Sequence, residues 1–370
     1  MIALHTAIAI IVIILLIIKV KVDPVISLII GSLYLGLATA TGAVFMWLAA
    51  RELPWAGVGA WFAGESLTRL AGWSSLFVLM YGVCHAARIV RWYYLVRPLG
   101  EVDPRLVHRV CTVGFAAILL LPFRLGELVR PYLLSRRTNF GMTPVLGTAV
   151  VERVVDGLTV TGLLFATLAT YDGGVAPAFA QGAALFGAAI FIPALGICLL
   201  ASWNKERASQ LVRTIAGVVS ERIANGLADL LEAFIDGFRA LAAANALGRF
   251  TLLTIVYWTM NVLSMWMFAR FAFGLQIGPW EMATVTTVLV LGVMIPAGPA
   301  MAGNFQYFIL QGLGLFVVLE GSVAAEAGAF SAVLHVLQFL VIVVPGVVVM
   351  ALDPGSRHLI RLSSEAEEAV

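Results

Sequence analysis

Three cations and three anions stand in the stretches 121–132 and 151–157, inside sequence that is otherwise apolar. Arg124, Glu127 and Arg130 lie in Leu-Pro-Phe-Arg-Leu-Gly-Glu-Leu-Val-Arg-Pro-Tyr (121–132). Glu152, Arg153 and Asp156 lie in Val-Glu-Arg-Val-Val-Asp-Gly (151–157). An ionisable group at bilayer depth is costly, so it faces the protein interior and pairs there. A fold that accepts this sequence in a membrane must enclose a polar interior away from lipid.

The membrane setting follows from the rest of the chain. Mean hydropathy is +0.99 and only 12% of residues are charged, which excludes an ordinary soluble domain. The runs 2–18 and 25–50 are each long enough to span a hydrocarbon core of about 30 Å. The first has no basic segment before it and no small-residue cleavage site, so it is expected to be a retained helix. The pattern predicts an all-α polytopic membrane protein with about seven crossing helices, near 2–18, 25–50, 73–90, 145–170, 178–201, 250–272 and 328–352.

Two further apolar stretches are broken and are expected to be re-entrant hairpins. The first runs 105–121, a Pro-Phe break, then 126–134. The second runs 282–295, the break Pro-Ala-Gly-Pro-Ala-Met-Ala-Gly-Asn (296–304), then 305–319. Each arm of the second falls short of the roughly 20 residues a span requires, and Pro and Gly prevent a continuous helix. With both hairpins re-entrant and the N-terminus outside, about 17 Lys/Arg fall on the C-terminal side and about 3 opposite, which makes that side cytoplasmic. Arg88 and Arg91, next to Trp92, Tyr93 and Tyr94, are counted there as part of an interfacial belt.

Segment 201–250 is the only extended polar stretch, with apolar residues at helical spacing. It predicts one or two amphipathic helices on the cytoplasmic face, or a cap packed on the bundle. A single domain over 1–352 is expected, followed by a polar, acidic tail at 353–370.

Metal, redox and cofactor chemistry find no support. Cys84, Cys111 and Cys198 are isolated in apolar sequence and are expected to be buried small hydrophobes. The five histidines show no metal-ligand spacing, and His335 is expected to be a packed, hydrogen-bonded residue. No P-loop is present.

The charged residues admit two roles. Arg124, Glu127 and Arg130 follow at steps of three, and Glu152 and Asp156 share a helical face with Arg153 beside them. They can lock the first hairpin to helix 145–170, or offer planar guanidinium forks to a lipid phosphate. Asn304 and Gln306, past the second break, can line the same interior or bond between helices.

These motifs resemble the transmembrane, flippase-like region of lysylphosphatidylglycerol synthases and its free-standing relatives. The Pro-x-Arg-x-Gly-Glu-x-x-Arg-Pro stretch of that family is matched by Pro122, Arg124, Gly126, Glu127, Arg130 and Pro131. Its Glu-Arg-x-x-Asp helix is matched by Glu152, Arg153 and Asp156, and 296–314 is similar to its Pro/Gly-rich break. Asn304 and Gln306 stand where an acidic residue of the family is expected. The chain is expected to lack the soluble aminoacyltransferase domain, so the resemblance implies lipid translocation in the cell's inner (plasma) membrane rather than lysyl transfer. The implied substrate-binding set is Arg124, Glu127, Arg130, Glu152, Arg153, Asp156, Asn304 and Gln306, acting on a lipid with an anionic or phosphate-bearing headgroup. A transferase acting on a lipid-linked substrate, a non-catalytic subunit of a lipid-modifying enzyme, and a homo-oligomer stay open as alternatives.

Overall fold

The computed structural model describes residues 40–41, 43–51, 53–120, 126–171, 178–203, 205–217, 246–295 and 299–353, with scattered positions between 221 and 235. The expected helix 2–18, most of 25–50, the first break with Arg124, and the tail beyond 353 lie outside the described residues. The described residues are helical, with no strand among them.

Local signals explain where the helices begin. In α1 (Trp55–Gly64) and α2 (Leu67–Val96) the chain turns at Ser66, whose hydroxyl accepts the Arg69 N–H at 3.4 Å. Helix α3 (Pro104–Leu120) opens with Pro at its first position, and the Asp103 carboxylate accepts the Arg105 N–H at 2.9 Å. A helical turn at 126–128 leads into α4 (Val129–Arg137), and α5 (Met142–Ala169) follows. Helices α6 (Ala178–Trp203) and α7 (Lys205–Gly217) come next, and α8 (Leu247–Met267) closes in a π-helical turn, Phe268–Ala272. The last three are α9 (Pro279–Gly292), α10 (Asn304–Leu313) and α11 (Gly321–Leu352).

Among the described residues, three helices are long and apolar enough to cross a membrane: Leu67–Leu99, Leu247–Ala272 and Gly321–Leu352. They correspond to the expected spans 73–90, 250–272 and 328–352, and the first is longer at both ends. Helix α5 matches 145–170 closely but carries Glu152, Arg153 and Asp156 in its middle. Segment 201–250 contains the end of α6 and the helix α7, and Ser209 donates to Glu232 at 2.9 Å.

Both broken stretches fold as pairs of short helices packed arm against arm. In the first, α3 and α4 meet so closely that a Cβ on Gly126 would lie 2.2 Å from the backbone of Ala117 and Ile118. In the second, α9 lies on α10, and the Gly292 face is filled by the Phe308 ring. Helix α8 lies along α2, and α11 lies along α3. Helix α5 touches α2, α4 and α9, so it sits where both helix pairs and the long helices meet.

Candidate functional site

The charges of α5 form the centre of a buried network. Glu152 and Asp156, one turn apart, point toward α2 and are met there by Arg91. Arg91 donates to both Asp156 oxygens at 2.7 and 2.8 Å and to Glu152 Oε1 at 2.8 Å. Arg130, from the second arm of the first hairpin, donates to Glu152 Oε2 at 2.8 Å. Arg91, Arg130 and Glu152 are all 0% exposed. Their guanidinium groups also face aromatic rings, Arg91 beside Tyr257 and Arg130 beside Phe115 and Trp92. Arg153 makes longer contacts, 3.3 Å to Glu152 and Asp156 and 3.6 Å to Glu127, and its side chain is 30% exposed. Glu127 also lies 3.6 Å from Arg130.

Five of the residues singled out by sequence are thus brought together: Glu127, Arg130, Glu152, Arg153 and Asp156. Arg124 lies outside the described residues. Asn304 and Gln306 stand apart from the cluster and hold the second hairpin. Asn304 is fully buried, and its amide donates to the carbonyls of Gly292 and Ile295 at 3.2 and 3.3 Å, closing the end of α9. Gln306 accepts the Gly303 N–H at 2.9 Å at the start of α10 and meets His335 Nδ1 at 2.8 Å.

Sequence reasoning missed Arg91 and Arg88. Their place beside Trp92, Tyr93 and Tyr94 suggested an interfacial belt, and the structure corrects this: Arg91 is wholly enclosed, and half-buried Arg88 lines a partly open cavity. The signal was present in the helical register. Positions 81, 84, 88 and 91 fall on one face with the buried Tyr81 and Cys84, so both arginines point inward rather than toward the membrane surface.

The cavity has a volume of about 140 Å³. Both hairpins reach it, the first through Phe115 and Ile118 and the second through Val290, Ala300 and Phe305. One wall is charged, with Arg88, Arg153 and Asp156, and other parts carry Asn261, His335 and Gln338. Trp258 separates it from an apolar groove of about 620 Å³ between α5 and α8. Arg153 and Asp156 also border a third pocket of about 330 Å³ that contains Glu127. The Cys84 and Cys111 side chains are buried and unbridged beside this network, as small hydrophobes would be.

His335 supports the strained turn of the second hairpin. Ala300 and Met301 adopt φ of 54° and 57°, a left-handed conformation that costs non-glycine residues about 1 kcal/mol or more each. His335 Nε2 bonds the Ala300 carbonyl at 2.7 Å, and the ring stacks on Phe305 with centroids 4.5 Å apart. A carbonyl only accepts, so Nε2 carries the proton and Nδ1 accepts from the Gln306 amide. His335→Ala removes both bonds, a loss of about 1–3 kcal/mol. Amide exchange over 299–306 should accelerate in that variant, and wild-type exchange rates there would refute the support role.

The family model described as "Lysylphosphatidylglycerol synthase TM region" matches residues 2–346. The protein named Glycosyltransferase AglD of Haloferax volcanii is 25% identical over 301 residues, covering 73% of this chain and 47% of that protein. The chain thus spans about half the length of that curated relative. No solved structure matches.

Proposed function

Because the chain belongs to the lysylphosphatidylglycerol synthase TM region family, and is a membrane protein with a lipid-related function, we propose that it is a flippase-like carrier that moves a phospholipid or a lipid-linked anionic headgroup between leaflets. The observation that carries this reading is the charged cavity on which both broken hairpins converge. A phosphate cannot cross hydrocarbon unaided, because losing its water without replacement is prohibitive. The cavity supplies fixed cations and polar groups in place of that water, while the apolar groove behind Trp258 offers room for hydrocarbon tails. Broken helices are tolerated at membrane depth where they line such a cavity, and paired broken segments build the substrate sites of many secondary transporters.

The residues divide by how firmly they are held. Arg91, Arg130 and Glu152 are locked in short bonds within the interior and keep α2, α4 and α5 in register. Arg153 is the adaptable member: its contacts are long, it is part exposed, and it borders both the cavity and the neighbouring pocket. In this reading Arg153 exchanges Glu127 and Asp156 for an incoming phosphate, with Arg124 of the first hairpin as a second anion contact. Asn304 and Gln306 keep the second hairpin shaped. The hairpins are re-entrant, the N-terminus lies outside the plasma membrane and the C-terminus faces the cytoplasm.

A leaflet-exchange assay in liposomes with headgroup-labelled lipids tests the proposal. Arg153→Gln should slow exchange at least tenfold, while Arg51→Ala, at an exposed arginine beside Trp47, should leave it at the wild-type rate. Absence of exchange from folded wild-type protein would reject the carrier. A second reading is favoured by the resemblance to a relative named as a glycosyltransferase: the chain would present a lipid-linked substrate to a transferase. That reading gains if lipid binds at the cavity but never changes leaflet.

A further inference from the structure

We propose that Arg88 is the anion-selecting residue of the cavity, and that its ligand is a phosphate-bearing group of net negative charge. This rests on the cavity being the substrate site, and it assigns a residue that neither the motifs nor the buried network singled out. The described cluster holds four guanidiniums, those of Arg88, Arg91, Arg130 and Arg153, and three carboxylates, those of Glu127, Glu152 and Asp156. Ion pairs tie the carboxylates to Arg91, Arg130 and Arg153. Among the described residues no carboxylate pairs with Arg88, and its Nε is buried without a hydrogen-bond partner.

Aromatic rings position this cation instead. The guanidinium carbon lies 3.9 Å from the Phe115 ring centroid and 5.8 Å from that of Tyr257, and both rings line the cavity. Ring faces hold a cation in place but leave its buried Nε–H unsatisfied, and a buried donor without a partner is unfavourable. An anion that accepts from the free edge of the fork completes the site, and phosphate oxygens match that fork's geometry. The cavity's volume of about 140 Å³ is roughly ten times the minimum one water needs, enough for a compact headgroup and too little for acyl chains. Phe115 belongs to the first hairpin, so ligand binding at Arg88 acts directly on that hairpin's inner face.

The test uses the purified full chain in neutral detergent and reads thermal stability and lipid binding by native mass spectrometry. The probes are phosphatidylglycerol, phosphatidylethanolamine and sn-glycerol 3-phosphate, with Arg88→Gln and Arg88→Lys beside wild type. Phosphatidylglycerol should bind wild type at least tenfold tighter than phosphatidylethanolamine, and Arg88→Gln should lose that preference. Arg88→Lys, which keeps the charge and loses the fork, should retain part of it. Without lipid, Arg88→Gln should melt at or above the wild-type temperature, because an uncompensated cation has been removed. A preference that survives Arg88→Gln overturns the assignment, as does a fall in its lipid-free melting temperature equal to that of Arg91→Gln. An Arg88-dependent response to glycerol phosphate alone would identify a soluble anion as the source of the same chemistry. Arg88-dependent binding without leaflet exchange would keep this assignment and reject the carrier. Exchange that is indifferent to Arg88 would do the reverse.

Discussion

Glu152→Gln should cost the protein about 3–5 kcal/mol, the largest loss expected from any single substitution in the charged network. One carboxylate there answers three arginines: Arg91 at 2.8 Å and Arg153 at 3.3 Å on Oε1, and Arg130 at 2.8 Å on Oε2. Glutamine keeps the shape and removes the charge, and its amide nitrogen turns a donor toward a guanidinium. Arg130 is then left with Glu127 at 3.6 Å as its remaining acidic partner among the described residues. Arg91 keeps Asp156, which is why the loss stops short of both contacts together. Purified Glu152→Gln should melt about 4–6 °C below wild type, or elute as aggregate on size exclusion.

The same network predicts partial rescue. Arg130→Met combined with Glu152→Met removes one charge of each sign and leaves the Arg91–Asp156 pair intact. The double variant should therefore be about 1–3 kcal/mol more stable than the sum of the two single losses. Simple additivity would mean that the two side chains do not sense each other, and a melting temperature for Glu152→Gln within 2 °C of wild type, given as a rough threshold, would mean that water already shields the cluster.

Much of this arrangement was legible in the sequence, and the rest was hidden for identifiable reasons. The spacing of Glu152 and Asp156 sets both on one face of α5, and both do meet Arg91. The broken stretches were visible because Pro and Gly interrupt runs too short to span, and the arms 104–120, 129–137, 279–292 and 304–313 follow them closely. The partner on α2 was not legible. Periodicity says which face of a helix is apolar, but Arg88 and Arg91 are polar residues on that face, and only tertiary placement reveals carboxylates waiting opposite. Asn304 and Gln306 show the complementary difficulty: a polar residue near a break can line a cavity or satisfy the broken backbone. Here the Gly292 and Ile295 carbonyls at the end of α9 and the Gly303 N–H at the start of α10 claim them.

Gly126→Ala should disable the first hairpin, and the reason is backbone rather than side chain. A Cβ at this position would stand 2.2 Å from Ala117 C and Ile118 N and 2.5 Å from the Ala117 carbonyl oxygen, all on the opposing arm. No rotamer change relieves contacts with main-chain atoms, so α3 and α4 must separate, and Arg130 must move away from Glu152 with them. Gly162 provides the control within α5, since a Cβ there meets nothing within 4 Å. Gly162→Ala should be neutral or stabilise by up to about 1 kcal/mol through helix propensity. Gly126→Ala should instead lower stability by several kcal/mol, the scale of overpacking combined with a strained buried ion pair. Thermal melts of the two purified variants decide the matter, and equal melting temperatures would show that the hairpin arms are not in contact at Gly126. The glycine of the Arg-x-Gly-Glu sequence then has a physical reason: it lets two short helices approach to backbone contact, so that a charge on one arm reaches the carboxylate on α5 that holds the cavity wall in place.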